Sequence, residues 1–173
     1  MSSAMENMLS RRSVRKYKSD MIPKEILDQI LKAGTYAATG RNLQSPIMID
    51  VTNQELRNRL SAMNARIMGT DSDPFYGAPV VIIVLADRSV PTYVYDGSLV
   101  MGNLMLAAHE LGVGSCWIHR AREEFASEEG KAILKELGIE GDYEGIGHCI
   151  LGYADGSLPA EKPRKENYIY YAE

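Results

Sequence analysis

DGSLVMGNLMLAAHELG, residues 96–112, is the stretch from which the fold class is read. Leu99, Met101, Leu104, Met105, Leu106, Ala108 and Leu111 do not share one stripe; they circle the helix. A helix that is apolar most of the way round belongs at the centre of a structure, covered on several sides. Gly112 and Gly114, which follow it, fit a helix C-cap and a turn. They stand between a helix and a strand, the reverse of the order in a dinucleotide-binding fingerprint.

Strands are predicted on both sides of this helix. APVVIIVLA, 78–86, is a continuous run rich in β-branched residues, as in a strand covered on both faces. PIMIDVT (46–52), GSCWIH (114–119) and GIGHCILGY (145–153) read as three more. Further helices are predicted over PKEILDQILKAGTYAAT from Pro23, with Ile26, Leu27, Ile30, Leu31 and Ala33 as its buried face, and over 53–69 behind Asn53 as N-cap. REEFASEEGKAILKELG, 122–138, reads as one exposed amphipathic helix. Ser3-x-x-Glu6 has the form of a capping box opening a short helix through Leu9. Helices dominate over about four strands in one sheet, and these elements alone leave α/β and α+β both open.

The chain has 173 residues, 45% apolar and 24% charged, which predicts a single globular domain over 1–173. No apolar run approaches the roughly 20 residues that span a bilayer, and MSSAMENMLSRR has no apolar h-region, so neither a membrane location nor secretion is expected. Cys116 and Cys149 form no CxxC and no metal framework, and suit a reducing, cytoplasmic compartment. A net charge of −4 argues against nucleic acid as the main partner.

Against that acidic total, LSRRSVRKYK (9–18) carries Arg11, Arg12, Arg15, Lys16 and Lys18. Arginine suits a phosphate because its planar fork makes two parallel charge-assisted hydrogen bonds, and Ser13 adds a hydroxyl. Asn42 and Gln44 in the polar loop TGRNLQSP carry donors and acceptors for the edge of a heteroaromatic ring or a polyol. Backbone N–H groups after Gly114 suit close approach to a flat ring, which Trp117 and Tyr76 are candidates to shape. Lys162 and Arg164 form a second basic pair in a tail, 154–173, too extended to pack on its own core. No HExxH, GxSxG or P-loop is present, so no side-chain catalytic set and no metal centre is expected. Together these features suit a phosphorylated, flat, polar-edged cofactor.

RRSVRKY, ILKAGTYAATGRNLQSP, FYGAPVVIIV, DGSLVMGNLMLAAHELGVGSCWI and LGYADGSLPAEKPRK, in that order, resemble characteristic segments of the FMN-dependent nitroreductase family over nearly the whole length. The resemblance implies an α+β nitroreductase-like fold: a central mixed or antiparallel sheet flanked by helices around a buried central helix, in an intertwined homodimer whose tail, 154–173, extends onto the partner subunit. It implies that Arg11, Ser13 and Arg15 bind the FMN phosphate and ribityl chain, with Arg12 contributing through backbone or side chain. Lys162 and Arg164 match a second phosphate-binding pair. Asn42 and Gln44 would address the ribityl chain and ring. Ala38, Thr39 and Gly40 match a segment that reaches the partner's FMN. Trp117, Ile118 and His119 match the strand whose backbone donates to the flavin N5–O4 edge. The implied activity is ping-pong hydride transfer from NADH or NADPH through FMN to a small acceptor such as a nitroaromatic or quinone; the alternative is a non-catalytic flavin-binding or regulatory protein on the same scaffold. The chain departs from the family pattern at Ala38-Thr39, at Ser45 and at His119-Arg120. It also lacks a counterpart of the family's Asn-x-x-Lys around 63–75.

Overall fold

The computed structural model describes residues 3–172; expectations that include residues 1, 2 and 173 lie partly outside it. In chain order the elements are α1 (Ala4–Ser10), α2 (Lys24–Thr35), β1 (Pro46–Val51), α3 (Gln54–Met68), β2 (Val80–Asp87), α4 (Tyr93–Glu110), β3 (Gly114–Ile118), α5 (Ala121–Ala126), α6 (Glu128–Glu136) and β4 (Tyr143–Gly152). The strands form one sheet in the order β1-β2-β4-β3, antiparallel at every pairing. The mixed alternative is thereby removed and the class is α+β.

β2 explains the layering. Its residues Val80–Ala86 are fully buried, so both faces of the sheet are covered. Val81, Ile83 and Leu85 join Leu60 and Met63 of α3, Phe75, Phe125 of α5 and Ile133 of α6 in one core. Val80, Ile82, Val84 and Ala86 join Leu27 and Ile30 of α2 and Val100, Met101 and Leu104 of α4 in the other. Strand alternation thus divides a single apolar run between two helical layers. Cys116 belongs to the first core and Cys149 to the second. Facing opposite sides of the sheet, these two free thiols are not placed to bridge each other.

The register slips once, between Val84 and Leu85: Val84 pairs with Gly147 and Leu85 with Gly145, so Ile146 is bulged out. The freed Ile146 packs on Gly97 of α4, where an added Cβ would lie 2.5 Å from its Cγ1. Gly145 turns to the other layer, and a Cβ there would lie 2.2 Å from the Ala121 carbonyl oxygen of α5.

The Ser3–Glu6 capping box and the Asn53 cap form as expected. Two expectations are corrected. The helix over 122–138 breaks at Ser127, whose extended backbone ends α5 and whose Oγ caps α6 by accepting from Gly130 N–H at 3.0 Å. Nor is it merely exposed, because α5 buries Ala121, Glu124 and Phe125. The central helix α4 is not covered all the way round by its own chain. Asp96, Gly97, Val100, Met101, Leu104 and Ala108 are buried, while Leu99 is 50% and Tyr95 72% exposed.

Gly145→Ala is expected to destabilise the fold by about 1–3 kcal/mol, because the clash is with backbone that cannot rotate away. Urea unfolding followed by circular dichroism measures it; an unchanged midpoint would show that α5 is free to move off the sheet.

Candidate functional site

The basic segment is fastened to the edge of the sheet. β3 is an outer strand, and beyond it Ser13 bridges Ser115 in parallel while Val14 N–H donates to Ser115 O at 2.9 Å. Further on, Lys18 N–H donates to Tyr153 O at 2.9 Å and Asp155 N–H to Lys16 O at 3.0 Å, so residues 14–18 also clasp the end of β4. Buried Val14 packs against Gly114, where a Cβ would lie 2.8 Å from its Cγ2. The cations are therefore carried on fixed backbone. Nη1 of Arg11 is buried and has no hydrogen-bond acceptor. Burial, and then the charges of Arg11 and Arg12, push the His109 imidazole at the end of α4 below its usual range. Arg12 is turned to a different task. Its Nη1 donates to Leu9 O at 2.6 Å, its Nη2 lies 3.3 Å from Glu161, and it lines a separate cavity of about 710 Å³ with His109 and Lys18.

Past Ser115 the outer edge of β3 is unpaired among the described residues. Ser115 turns its carbonyl outward to Val14, and by the two-residue strand period Trp117 presents its backbone outward as well. There the edge borders a crevice of about 220 Å³ lined by Arg15, Met68, Tyr76, Trp117, His119 and Arg120, among others. Arg15 also lines an adjoining hollow of about 230 Å³ with Lys16, Ala154 and Ser157. A flat ring on the crevice side and an anion on the hollow side would share one trough, with Arg15 between them.

The walls of the crevice are held from below by α3. Its Arg57 donates through Nε to Ala78 O at 3.0 Å and through Nη2 to Asp73 at 2.6 Å. Asp73 also accepts from Ser61 Oγ at 2.6 Å and from the N–H groups of Phe75 and Gly77. Burial alone would push the Asp73 carboxyl up, but these donors outweigh it and hold it below the usual carboxylate range. Tyr76, on the turn so braced, has a left-handed φ of 53°. On the other wall Arg120, with φ 78°, donates from Nε to Asn64 Oδ1 at 2.9 Å. Asn64 Nδ2 donates to His119 O at 2.8 Å and to Glu124 Oε1.

The loop expected to meet a ring lies elsewhere. Residues 38–44 run into β1, at the opposite side of the sheet from β3, about 14 Å away across three strand spacings. Gly40 N–H donates to Asp96 Oδ1 at 2.9 Å, and Ser45 Oγ to Asp96 Oδ2 at 2.8 Å, tying the loop to the start of α4. Gly40 sits so close to Thr92 that a Cβ would lie 2.3 Å from its Oγ1. Arg41, Asn42 and Gln44 have φ of 53°, 56° and 51°; with Tyr76 and Arg120 they are the only non-glycine residues of positive φ among those described. Backbone strain of this kind collects where structure is held for a purpose beyond folding. Ala38, Asn42 and Gln44 are exposed, as are Lys162 and Arg164, which lie on a tail exposed from Asp155 onward. The structure thus brings together Arg15, Trp117, Ile118 and His119, with Ser13 bridged to the same strand at Ser115. Arg11 lies instead near His109, and Ala38, Thr39, Gly40, Asn42 and Gln44 also stand outside that group.

Sequence reasoning missed the polar underlay: Arg57, Ser61, Asp73, Asn64, Glu124 and His148. A signal for half of it was present, since Arg57, Ser61 and Asn64 share helical spacing with the buried Leu60 of α3. No group of three or more His, Cys, Asp or Glu suited to a metal occurs among the described residues. No helix among them is long and apolar enough to cross a membrane.

The fold belongs to a known class. A profile of the nitroreductase family matches residues 8–70 and 66–153, and the chain belongs to that family. It is similar to a protein of Methanothermobacter thermautotrophicus provisionally named NADH dehydrogenase/NAD(P)H nitroreductase, with 32% identity over 122 residues. That match takes in 65% of this chain and 59% of the relative, so the chain spans little more than half of it. A protein of the same provisional name from Archaeoglobus fulgidus is 29% identical over 178 residues, 100% of this chain and 92% of the relative. Among solved structures, a nitroreductase with bound FMN from Bacteroides fragilis superposes with a TM-score of 0.88 at 30% identity, covering 100% of both chains.

Asp96 yields a pH-dependent prediction. Burial alone would push its carboxyl up, but Gly40, Ser45 and Thr92 outweigh it and hold it below the usual range. Folding therefore favours the charged form. Its stabilisation is complete above the ordinary value of 3.8 and is lost as pH falls through the folded-state value. Asp96→Asn is expected to cost about 2 kcal/mol at pH 7 and progressively less in acid. Denaturant unfolding at pH 7 and pH 3 measures both; an equal loss at the two would remove charge from the explanation.

Proposed function

We propose that the chain is an FMN-dependent NAD(P)H oxidoreductase and that the trough along the β3 edge is its flavin seat. One observation carries this: the basic segment is hydrogen-bonded to the strand whose free edge floors the aromatic crevice, so cations and a flat-walled slot form one surface. The residues present fit such a group, since Arg15 lines both parts of the trough and Trp117 and Tyr76 line its crevice. The solved relative from Bacteroides fragilis, described with FMN bound, supports it.

Bound FMN would supply the chemistry, ping-pong hydride transfer between NADH or NADPH and a small acceptor such as a nitroaromatic or quinone. The chain's own residues bind and orient. Arg11, Ser13 and Arg15 would hold phosphate and ribityl chain, joined by Lys162 and Arg164 as the tail settles. Backbone N–H groups at Trp117–His119 would meet the ring edge. Arg12 would act on its neighbours' backbone instead, given its bonds to Leu9 and Arg11 carbonyls. No side-chain acid is required by this scheme, which accords with the missing catalytic set.

The functional unit in this proposal is a homodimer, with 1–173 as one domain and the tail, 154–173, reaching the partner. Three features support it. Tyr95 and Leu99 leave an apolar side of α4 open to solvent. The tail exposes Tyr168, Ile169, Tyr170 and Tyr171. Ala38, Thr39, Gly40, Asn42 and Gln44 lie too far from their own trough to serve it, but a second copy could bring them to it. The cytoplasm suits two free buried thiols.

The purified protein is expected to be yellow, to release FMN on denaturation, and to be bleached by NADH or NADPH in anaerobic stopped flow. Flavin that neither nucleotide reduces would sink the enzymatic role. Arg11→Ala with Arg15→Ala is expected to weaken FMN retention by about tenfold or more without unfolding the protein, the equivalent of one charge-assisted hydrogen bond. Leu99→Glu is expected to give a monomer by sedimentation that also loses flavin. A monomer that stays fully flavin-loaded would contradict a site shared between subunits.

A further inference from the structure

We infer that Arg120 is the cation of the ring end of the crevice, positioned from beneath by Asn64 and Glu124, and that it favours the flavin after hydride uptake over the oxidised flavin. Resting on the seat proposed above, the role follows from which cations line the crevice and what each is already committed to. Arg15 adjoins the hollow proposed for the phosphate. Arg66, the one cation in the segment 63–75, does not line the crevice and is engaged at 2.5 Å with Glu129. The Asp73 carboxylate on the opposite wall is consumed by Arg57, Ser61 and two backbone N–H groups. That leaves Arg120 as the permanent positive charge that lines the crevice and not the hollow, and it has no carboxylate partner among the described ion pairs.

Its placement is specified by a chain of polar groups that packing alone does not explain. Asn64 and Glu124 are both fully buried. Both acceptors that Asn64 Nδ2 meets, the His119 carbonyl and the Glu124 carboxylate, require its amide nitrogen. The amide oxygen is thereby turned toward Arg120 Nε, and cannot flip without setting its NH₂ against the guanidinium and its oxygen against two acceptors. Beneath them His148, also fully buried, has Nε2 3.0 Å from Glu124 Oε1 but too poorly aligned for a hydrogen bond, and Nδ1 and Glu124 Oε2 have no partner. Buried polar atoms so poorly satisfied weaken a fold unless another requirement retains them. A left-handed backbone at Arg120, where glycine would be relaxed, points the same way.

The charge balance gives Arg120 its work. A hydride carries two electrons and one proton, and leaves its donor as NAD(P)⁺. A neutral ring system that receives it gains one negative charge, which a fixed cation in a narrow, partly desolvated slot favours. Arg120 therefore discriminates between the two redox states, whereas the phosphate-binding cations serve both alike.

The test compares the full-length wild type, Arg120→Gln, Arg120→Lys, Arg120→Gly and Asn64→Leu, each reconstituted with FMN. Two quantities are read: affinity for oxidised FMN by flavin fluorescence, and the two-electron midpoint potential against a reference dye. Arg120→Gln is expected to change the reduced-to-oxidised affinity ratio by about tenfold, a potential lower by about 30 mV, with little change in oxidised affinity. Arg120→Lys should recover part of the shift. Asn64→Leu should move the potential in the same direction with Arg120 still present, which a purely structural role would not do. Arg120→Gly relaxes the left-handed backbone, so it gives a folded protein without the side chain and should show the Gln shift. An unchanged potential in Arg120→Gln and Arg120→Gly, or equal loss of affinity for both redox states, overturns the inference while leaving the flavin seat intact. A wild type that cannot be loaded with FMN overturns the seat itself and the inference with it.

Discussion

Everything in this protein is arranged around the burial of β2 on both faces. A strand whose residues from Val80 to Ala86 have no solvent contact needs partners on both edges for its backbone and helices on both faces for its side chains. β1 and β4 supply the edges. α2 and α4 cover one face, α3, α5 and α6 the other. The single bulge at Ile146 reconciles the two, passing one side chain to α4 while a bare glycine faces α5.

That arrangement leaves β3 as an outer strand, and an outer strand presents unpaired N–H and C=O groups. Half of this edge is closed by the segment around Ser13 and Val14, which carries the arginines. The other half stays open beside Trp117 and becomes the floor of a crevice. Edge protection and site construction are the same event here: the cations are anchored because the strand needed a neighbour.

Much of this was legible in the sequence because it rests on local pattern. The β-branched run at 78–86, the caps at Ser3 and Asn53, and the four strands depend on neighbours within a few residues. The break at Ser127 was not legible, because it depends on Gly130 packing so close to the Glu124 carbonyl oxygen that a Cβ would lie 2.1 Å from it, a contact that one amphipathic period conceals. The nature of the residues at the basic cluster was equally readable, but Arg12 was not separable from Arg15 until the strand bridge set which way each side chain turns.

The sequence by itself determined the family, the elements and the chemical character of the candidate site, since these are carried by ordered segments and by the donors each side chain possesses. Tertiary structure alone decided which groups meet. Asn64, Arg120 and Glu124 are separated by up to 60 residues yet form one buried chain of contacts. Ala38 to Gln44 and Trp117 to His119, both read as parts of a flavin site, stand at opposite edges of one sheet. Strand order, which no local periodicity encodes, is the physical reason for both.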